Sequence, residues 1–343
     1  MTLDQYGGWP AILSTLIDGN DLDEATATAV LGAILDGAAT DAQIAAFIVA
    51  IRQKGETVGE LTGLVRAMLA AAEPLTLPEN TIDIVGTGGA ASRQAHALNV
   101  STFAAFVAAG AGATVCKHGN RKASSTSGSF DVLEALGVNI EVTPTQLEAT
   151  VSEIGLGFAF ARTFHPAMRH VGPVRAELGI KTAFNVLGPL SHPGRLRRQV
   201  VGIADAAMAD RMIEVLAATG SVHAMVVTGH GPLDELSTAG PSTIVQLRDG
   251  VITTQEVDPV ALGLALVDAG LLAGGDAAAN AEIAEAIFAG EDRPAREIVA
   301  LNAAAGLVVA GVSDSLADGL SKAFESLDSG AAAAKLEALR AAS

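Results

Sequence analysis

The stretch TIDIVGTGG, residues 81–89, is a short β-rich run that passes directly into a glycine-rich turn. Beyond a polar loop, residues 101–109 have the composition of a helix, so strand, turn and helix form one βα unit. Glycines let backbone N–H groups approach a phosphate closely, and the helix start adds favourable potential. An ordinary tight turn has the same composition, because the stretch is neither a P-loop nor a GxGxxG fingerprint.

The alternation of strands and helices continues beyond this unit. A second predicted unit has a strand at 113–116 and a helix at 130–136, and the sequence predicts further buried strands at 156–161, 200–203 and 224–227. Such alternation is typical of an α/β domain with a largely parallel sheet. Residues 242–256 predict a hairpin that turns at Asp249-Gly250, and the tail from Asp276 is helical and alanine-rich.

The N-terminal part of the chain predicts helices only. Capping-box patterns begin at Thr40 and at Thr57, and prolines mark a linker near residue 74. We therefore expect a helical domain over residues 1–74 and an α/β domain over residues 75–343. The apolar faces of the helices need a partner, which is either the rest of the chain or a second copy.

The composition restricts the class of protein. The 343 residues are 50% hydrophobic but only 3% aromatic, which predicts a large aliphatic core. A formal net charge of −17 argues against nucleic-acid binding, which needs clustered Lys and Arg. Cys116 is the single cysteine, so no intramolecular disulfide can form, and neither a signal peptide nor a membrane-spanning run is visible. We expect a cytoplasmic protein that binds neither nucleic acid nor membrane.

Polar segments follow three of the predicted strands. The segment KHGNRKASSTSGS, residues 117–129, combines cations, hydroxyls and glycines, and Arg and Lys pair well with phosphate oxygens. A solvated loop is also polar, but it rarely concentrates phosphate-binding residue types so densely. Residues 99–102 (NVST) either cap a helix or bind phosphate or a metal-bound water. Asp234-Glu235 either holds Mg²⁺ or is simply solvated.

In their order along the chain, these segments resemble the anthranilate phosphoribosyltransferase family. The most specific piece is residues 117–137, followed by FHPAMRH and PVRAELG within 164–179, then FNVLGPL at 184–190, and finally Asp234-Glu235 with Gly240-Pro241. The resemblance runs from the N-terminal helices to about Ala310. It implies a two-domain fold in which helices near 164–186 join the helical domain. It also implies an active site in the cleft between the domains and a homodimer formed through helical-domain faces.

The family transfers the 5-phosphoribosyl group from phosphoribosyl pyrophosphate to anthranilate, in tryptophan biosynthesis. The resemblance implies that the donor is bound by Gly86, Gly89, Asn99, Ser101, Thr102, Lys117, Gly119, Asn120, Arg121, Ser124, Ser125 and Ser129. It implies that anthranilate is held by Asn120, Arg175, Gly188 and Pro189, with Arg175 pairing its carboxylate. Two Mg²⁺ ions are implied, one at Ser101 and Glu235, the other at Asp234 and Glu235.

No residue is assigned as a general base, because an arylamine is nucleophilic without one and positioning should dominate. His118, His165 and His170 are candidates only. Two other classes of function stay open. A related enzyme could use another acceptor or phosphorolyse nucleosides, which activity with inosine, thymidine or uridine plus phosphate would support. A binding homologue would hold the donor without turnover.

The chain departs from the family pattern on the donor side. Ala90 stands where the family usually has Asp, the loop 90–98 is longer than usual, Ala97 replaces Thr, and Arg162 replaces Pro. Loss of a carboxylate near pyrophosphate should change how metal and phosphate are held. We predict that the enzyme is active and that Ala90→Asp changes its Mg²⁺ dependence, measured by titrating turnover with Mg²⁺. An unchanged Mg²⁺ response would contradict this.

Overall fold

The computed structural model describes residues 3–88, 98–122 and 126–342. The α-helices are α1 (Gly8–Ile17), α2 (Glu24–Leu35), α3 (Asp41–Lys54), α4 (Val58–Ala71), α5 (Val100–Gly110), α6 (Ser129–Ala135), α7 (Pro144–Ile154), α8 (Ala161–Phe164), α9 (Gly172–Leu178), α10 (Phe184–Leu190), α11 (Ala209–Ala218), α12 (Ala277–Phe288), α13 (Pro294–Ala310), α14 (Leu316–Asp328) and α15 (Ala331–Ala341). The strands are β1 (Asp83–Gly86), β2 (Val115–Gly119), β3 (Leu156–Phe160), β4 (Arg198–Gly202), β5 (His223–Thr228), β6 (Ser242–Arg248) and β7 (Val251–Val257). Short 3₁₀ helices cover Leu3–Tyr6, Pro166–His170, Ala206–Met208, Val260–Leu262 and Ala269–Leu272.

The sheet is mostly parallel, as predicted. Strands β1, β4 and β5 pair in parallel, and β6 and β7 continue the sheet as an antiparallel hairpin. Strands β2 and β3 form a parallel pair that a parallel bridge between Ile82 and Val115 joins to β1. The hairpin turns at Asp249 (φ 50°) and Gly250 (φ 82°), two successive left-handed residues that suit a tight two-residue hairpin turn.

Two apolar cores lie on opposite faces of this sheet. Successive side chains of β1 point to opposite faces of the sheet. Ile84 packs in the core formed with α5 and α13, whereas Val85 packs in the core formed with the N-terminal helices and α11. Helix α13 approaches β1 closely, because a Cβ on Gly306 would meet the side chain of Ile84 at 2.5 Å. The alanine-rich helices therefore pack directly on the sheet. Within the described residues, no helix has the length and apolar character needed to cross a bilayer.

The helical bundle is fixed by caps and by one buried carboxylate. The capping boxes at Thr40 and Thr57 are both confirmed. Glu60, the third residue of α4, is fully buried, and its Oε1 accepts from the backbone N of Leu22 at 2.9 Å. Its Oε2 accepts from the Lys54 ammonium at 2.9 Å, so this buried charge is paired and hydrogen-bonded. Later in the chain, α9 packs on α3 and α10 packs on α4.

We predict that Gly63→Ala destabilises the bundle, because α4 crosses α2 at this glycine. An added Cβ would overlap the carbonyl oxygen of Glu24 and would lie 2.9 Å from the Cβ of Ala27. Such overpacking should lower the free energy of unfolding by about 1–3 kcal/mol, measured by urea denaturation.

Gly59→Ala is the matched control, because it lies on the same helix and no heavy atom of the described residues is within 4 Å of the added Cβ. Higher helix propensity should raise the free energy of unfolding by up to about 1 kcal/mol. Equal effects of the two substitutions would contradict the packing argument.

Candidate functional site

The carboxyl ends of β1 and β4 form a shelf on which Asp234 lies. Gly86 and Gly202, the last residues of the two strands, are paired in register. A Cβ on Gly86 would lie 2.7 Å from the Asp234 Oδ2, and a Cβ on Gly202 would overlap the carbonyl oxygen of Asp234. Asp234 Oδ2 accepts from the backbone N of Gly88 at 2.7 Å. The acidic pair therefore lies at the strand edge where open α/β sheets bind ligands.

Asn302 on α13 holds the acidic segment from the other side. Its side chain is buried, its Oδ1 accepts from the backbone N of Leu236 at 2.9 Å, and its Nδ2 donates to the carbonyl of Leu236 at 2.9 Å. The residue directly after Glu235 is thus fixed through both backbone groups. Sequence analysis missed Asn302, although an amide inside an apolar, alanine-rich helix is a detectable signal.

Lys117 is buried beside the acidic pair. Burial lowers the pKa of its ammonium group, while Asp83, Glu235 and Asp234 favour the charged form. Asp83 lies on β1 and is fully buried, and burial raises its pKa to about 7 against the opposing effect of Lys117. Its Oδ1 accepts from the backbone N of His118 at 3.1 Å. The structure thus brings Lys117 and the acidic pair together, and it adds Asp83, which sequence analysis missed.

Strand β2 extends further than predicted. Lys117 and Gly119 pair with residues of β3, so they belong to the strand and not to the loop after it. Packing leaves no room for a side chain at position 119, because a Cβ on Gly119 would overlap the Oγ of Ser129. Ser129 Oγ donates to the carbonyl of Asn120 at 3.1 Å. Of the other residues implied for donor binding, Gly89, Ser124 and Ser125 lie outside the described residues, as do Ala90 and Ala97.

Arg121 is engaged by two carboxylates of α6. Its guanidinium lies 3.2 Å from Asp131 and 2.9 Å from Glu134, and these bonds, Glu134 first, raise the pKa of Arg121. The side chain is still 42% exposed, so its ion pairs can exchange with solvent or with an anion. Asp131 Oδ2 also accepts from the backbone N of Lys122 at 2.8 Å. The carboxylate of Asp131 therefore orders the loop that carries these cations.

The start of α5 carries the second polar segment. Asn99 occupies the N-cap position, but its side chain makes no capping hydrogen bond. Its Oδ1 instead accepts from the Oγ of Ser127 at 2.8 Å and from the Nδ2 of Asn280 at 2.9 Å. Ser101 is half-buried in the first turn, and Thr102 is buried with no partner for its Oγ1 among the described residues. Helix capping alone therefore does not explain Asn99.

Three histidines form a buried cluster next to β2. The ring of His118 lies 5.2 Å from that of His165 and 5.7 Å from that of His192, between ring centres. Burial lowers the pKa of His165 to about 4 and that of His192 to about 3, and it holds the pKa of His118 well below its usual range. All three rings are neutral at pH 7. The backbone of Gly188 on α10 opposes this lowering for His118, because it favours the protonated ring against the effect of burial.

Arg175 on α9 is held against the same helix. Its guanidinium carbon lies 5.3 Å from the ring centre of Phe184, the first residue of α10. The side chain is half-buried, and burial lowers the pKa of its guanidinium. Gly188 and Pro189 lie one turn further along α10. Arg175 is thus linked, through Phe184, to the helix that carries Gly188 and Pro189.

These groups suit a phosphorylated ligand that carries Mg²⁺. The described residues contain no group of three or more His, Cys, Asp or Glu side chains able to hold a metal by themselves. Asp234 and Glu235 nevertheless supply adjacent hard oxygen atoms. Mg²⁺ is commonly held by one or two carboxylates together with waters and substrate phosphates, so this donor set fits it.

Two family models match the chain. The model described as glycosyl transferase family, a/b domain, matches residues 78–333, and the model described as glycosyl transferase family, helical bundle domain, matches residues 10–72. Among curated proteins, the anthranilate phosphoribosyltransferase of Arthrobacter sp. (strain FB24) is 49% identical over 96% of this chain and 94% of its own length. That of Roseiflexus sp. (strain RS-1) is 49% identical over 94% and 95%.

Solved structures match the chain over nearly its whole length. Anthranilate phosphoribosyltransferase from Thermus thermophilus matches with a TM-score of 0.91 and 40% identity, covering 96% of this chain and 98% of that chain. The enzyme from Saccharomyces cerevisiae in complex with PRPP and Mg matches with a TM-score of 0.87 and 27% identity, covering 97% of each chain. The same yeast enzyme with 4-fluoroanthranilate has a TM-score of 0.85 and 26% identity, over 98% and 99%.

We predict that the histidine cluster makes stability depend on pH. Unfolded His192 takes up a proton below about pH 6.5, whereas the folded ring, with a pKa of about 3, does not. Stability should therefore fall as the pH drops from 7 to 5, by about 2 kcal/mol for this residue. His192→Asn should remove that part of the fall, measured by urea denaturation at both pH values.

Asp83 acts in the opposite sense, because a raised folded pKa of about 7 favours the folded state at lower pH. This contribution is present in both proteins and cancels in their comparison. Between pH 7.5 and 8.5 the stability difference between wild type and variant should stay constant. A variant that loses as much stability on acidification as the wild type would show that His192 does not titrate as described.

Proposed function

The chain belongs to the anthranilate phosphoribosyltransferase family, and we propose from this premise that it catalyses the reaction for which the family is named. It transfers the 5-phosphoribosyl group of phosphoribosyl pyrophosphate to anthranilate, giving N-(5-phosphoribosyl)anthranilate and pyrophosphate in tryptophan biosynthesis. The observation that carries the proposal is the docking of Asp234 on the ends of β1 and β4, beside buried Lys117. This arrangement suits a magnesium-bound pyrophosphate.

We propose that the donor is held by residues from β1, the start of α5 and the loop after β2. These are Gly86, Gly89, Asn99, Ser101, Thr102, Lys117, Gly119, Asn120, Arg121, Ser124, Ser125 and Ser129. Ser101 with Glu235, and Asp234 with Glu235, would each serve one Mg²⁺. Magnesium supplies positive charge that neutralises the departing pyrophosphate. Two hydrogen bonds support this assignment, one between Asn302 and the backbone of Leu236 and one from the backbone N of Gly88 to Asp234. They hold the acidic segment in position before the ligand binds.

The chain's own groups would act mainly through electrostatics and positioning. Loss of pyrophosphate from C1 leaves positive charge on the ribose ring and negative charge on the leaving group. Lys117 is buried, so its ammonium acts on that negative charge with little screening by water. Burial makes the rings of His118 and His165 weak bases, which supports a mechanism without a general base.

For anthranilate we propose a site formed by Asn120, Arg175, Gly188 and Pro189. Arg175 would pair with the substrate carboxylate, for which a guanidinium has the matching two-pronged geometry. Its contact with Phe184 supports the role, because a side chain already held in place loses less freedom on binding.

We also propose the domain division at residues 74 and 75, with residues 164–186 joining the helical domain. The packing of α9 on α3 and of α10 on α4 supports this division. The reactive centre would then lie in the cleft between the domains. Closure of that cleft would exclude water from the donor.

A cytoplasmic homodimer is the assembly we propose. The helical domain has a surface cavity of about 730 Å³ between α1 and α2, lined by Trp9 and by Ala25, Ala29 and Gly32 of α2. Small side chains let a second helix approach closely, which makes this face suitable for a second copy. The buried single thiol of Cys116 fits a reducing compartment. Sedimentation velocity measures the assembly directly.

The proposed reaction is tested with wild-type protein. Pyrophosphate release from phosphoribosyl pyrophosphate should depend on both anthranilate and Mg²⁺, and it should match the loss of anthranilate fluorescence. Donor binding without anthranilate-dependent release would contradict the proposal. Turnover of nucleosides with phosphate would instead assign the chain to a phosphorolytic reaction.

We predict that Arg175→Ala raises the KM for anthranilate about 30-fold, because a partly buried bond to a charged group is lost. The KM for phosphoribosyl pyrophosphate should change little. When the neutral amide of anthranilate replaces anthranilate as substrate, there is no carboxylate to pair with Arg175. Arg175→Ala should therefore change the KM for the amide much less than the KM for anthranilate.

Arg169→Ala is the matched control. Arg169 is exposed on the 3₁₀ helix that precedes α9, and among the described residues its side chain donates only one long bond, 3.4 Å, to the carbonyl of Pro166. Its substitution should leave both KM values unchanged. A similar rise in anthranilate KM for both variants would show that general loss of positive charge, and not a specific pair, is responsible.

A further inference from the structure

Asn280, in the first turn of α12, is fully buried and reaches a residue 181 positions away. Its Nδ2 lies 2.9 Å from the Oδ1 of Asn99 and 2.8 Å from the Oγ of Ser127. Ser127 Oγ lies 2.8 Å from the same Oδ1 of Asn99. Three side chains from three separate parts of the chain thus form a closed hydrogen-bonded triangle.

The directions of these hydrogen bonds follow from Gly275, just before α12. The backbone N–H of Gly275 can only donate, and it faces the Oδ1 of Asn280 at 3.4 Å. The carbonyl of Gly275 can only accept, and it faces the Nδ2 of Asn280 at 3.2 Å. The amide orientation of Asn280 is therefore fixed by backbone groups, and its NH₂ group must point toward the triangle.

The orientation of Asn99 follows in turn. Because Asn280 offers a donor, the atom of Asn99 that faces it must be the acceptor Oδ1. Ser127 accepts from Asn280 and donates to the same Oδ1. The acceptor end of the Asn99 amide is therefore occupied by the triangle, and the other end of the amide is a donor.

We propose that Asn280 is a positioning residue that turns the NH₂ group of Asn99 toward the phosphoribosyl donor. The inference rests on the proposed function, in which Asn99 contacts that donor. An anionic ligand needs hydrogen-bond donors, so a reversed amide would present a carbonyl oxygen and repel it. Asn280 thereby decides which end of Asn99 the ligand meets, without touching the ligand.

The surroundings of the triangle favour this role over simple packing. Burying an amide costs free energy that an apolar side chain of similar size would not cost. Asn99 does not use its side chain to cap α5, so helix stability does not explain its orientation. The loop before α6 is tied to the same place, because Thr126 Oγ1 donates to the carbonyl of Gly275 at 2.8 Å.

The test compares two substitutions of Asn280 by isothermal titration with phosphoribosyl pyrophosphate and Mg²⁺. Asn280→Ala removes the bond that orients Asn99 and should weaken donor binding about tenfold. Asn280→Asp is nearly isosteric, but its carboxylate cannot donate, so it should draw the NH₂ of Asn99 toward itself and weaken binding further. Donor affinity within twofold of wild type for both variants would overturn the proposal.

A double-substitution cycle separates positioning from loss of structure. If Asn280 acts through Asn99, then Asn280→Ala should have almost no further effect on donor affinity in an Asn99→Ala protein. Independent, additive effects would overturn the proposal. Ile287→Ala is the control for α12, because it removes a fully buried side chain of the same helix that is not part of the triangle. It should lower thermal stability without changing donor affinity.

Failure of this inference is distinguishable from failure of the proposed function. Anthranilate-dependent pyrophosphate release by wild-type protein tests the function alone. If wild type turns over and Asn280→Ala binds the donor normally, only the positioning role is wrong. If wild type binds the donor without turnover, the proposed reaction is wrong, while a weakened affinity of Asn280→Ala still supports the positioning role.

Discussion

The close approach of Asp234 to the ends of β1 and β4 is the constraint on which the rest of the site depends. Both strands end in glycine at the same level of the sheet, and a side chain at either position would displace the acidic segment. A shift of one residue in strand register would replace Gly86 or Gly202 by a residue with a Cβ at this point. The parallel pairing of β1 with β4 and the position of the carboxylates therefore determine each other.

Buried charge around Lys117 gives this shelf its electrostatic character. The whole chain carries a formal charge of −17, yet its proposed ligand is an anion. Lys117 supplies positive charge at the proposed anion site, and burial reduces the screening of that charge by water. Asp83 and the acidic pair favour its ammonium form against the effect of burial. The ring of His118, the next residue along the chain, is kept neutral by burial and adds no further charge beside Lys117.

The C-terminal helices hold the loops of the candidate site in place. Asn302 of α13 binds both backbone groups of Leu236, directly after the acidic pair, and Asn280 of α12 binds Asn99 at the start of α5. Rigid helices position functional groups more accurately than loops do. The tail of the chain thus supplies order to a site to which it contributes no proposed ligand contact.

Local sequence patterns were sufficient to predict the elements that depend on near neighbours, and the resemblance to a known family indicated the reaction. Capping boxes at Thr40 and Thr57 join residues three apart, and the turn at Asp249-Gly250 needs only two residues, so local patterns predicted them correctly. The order of the motifs along the chain assigned Lys117, Asp234 and Glu235 to one site, through the resemblance to the family.

Long-range packing, and not local sequence, selects the further polar side chains that surround this site. Asp83 binds a backbone N–H 35 positions away, Asn302 a residue 66 away and Asn280 one 181 away. The neighbouring sequence can mark an unusual polar residue such as Asn302, but it does not identify the distant group to which that residue binds. A buried polar group is stable only where folding brings it a matching donor or acceptor, so its role is settled by packing and not by local pattern.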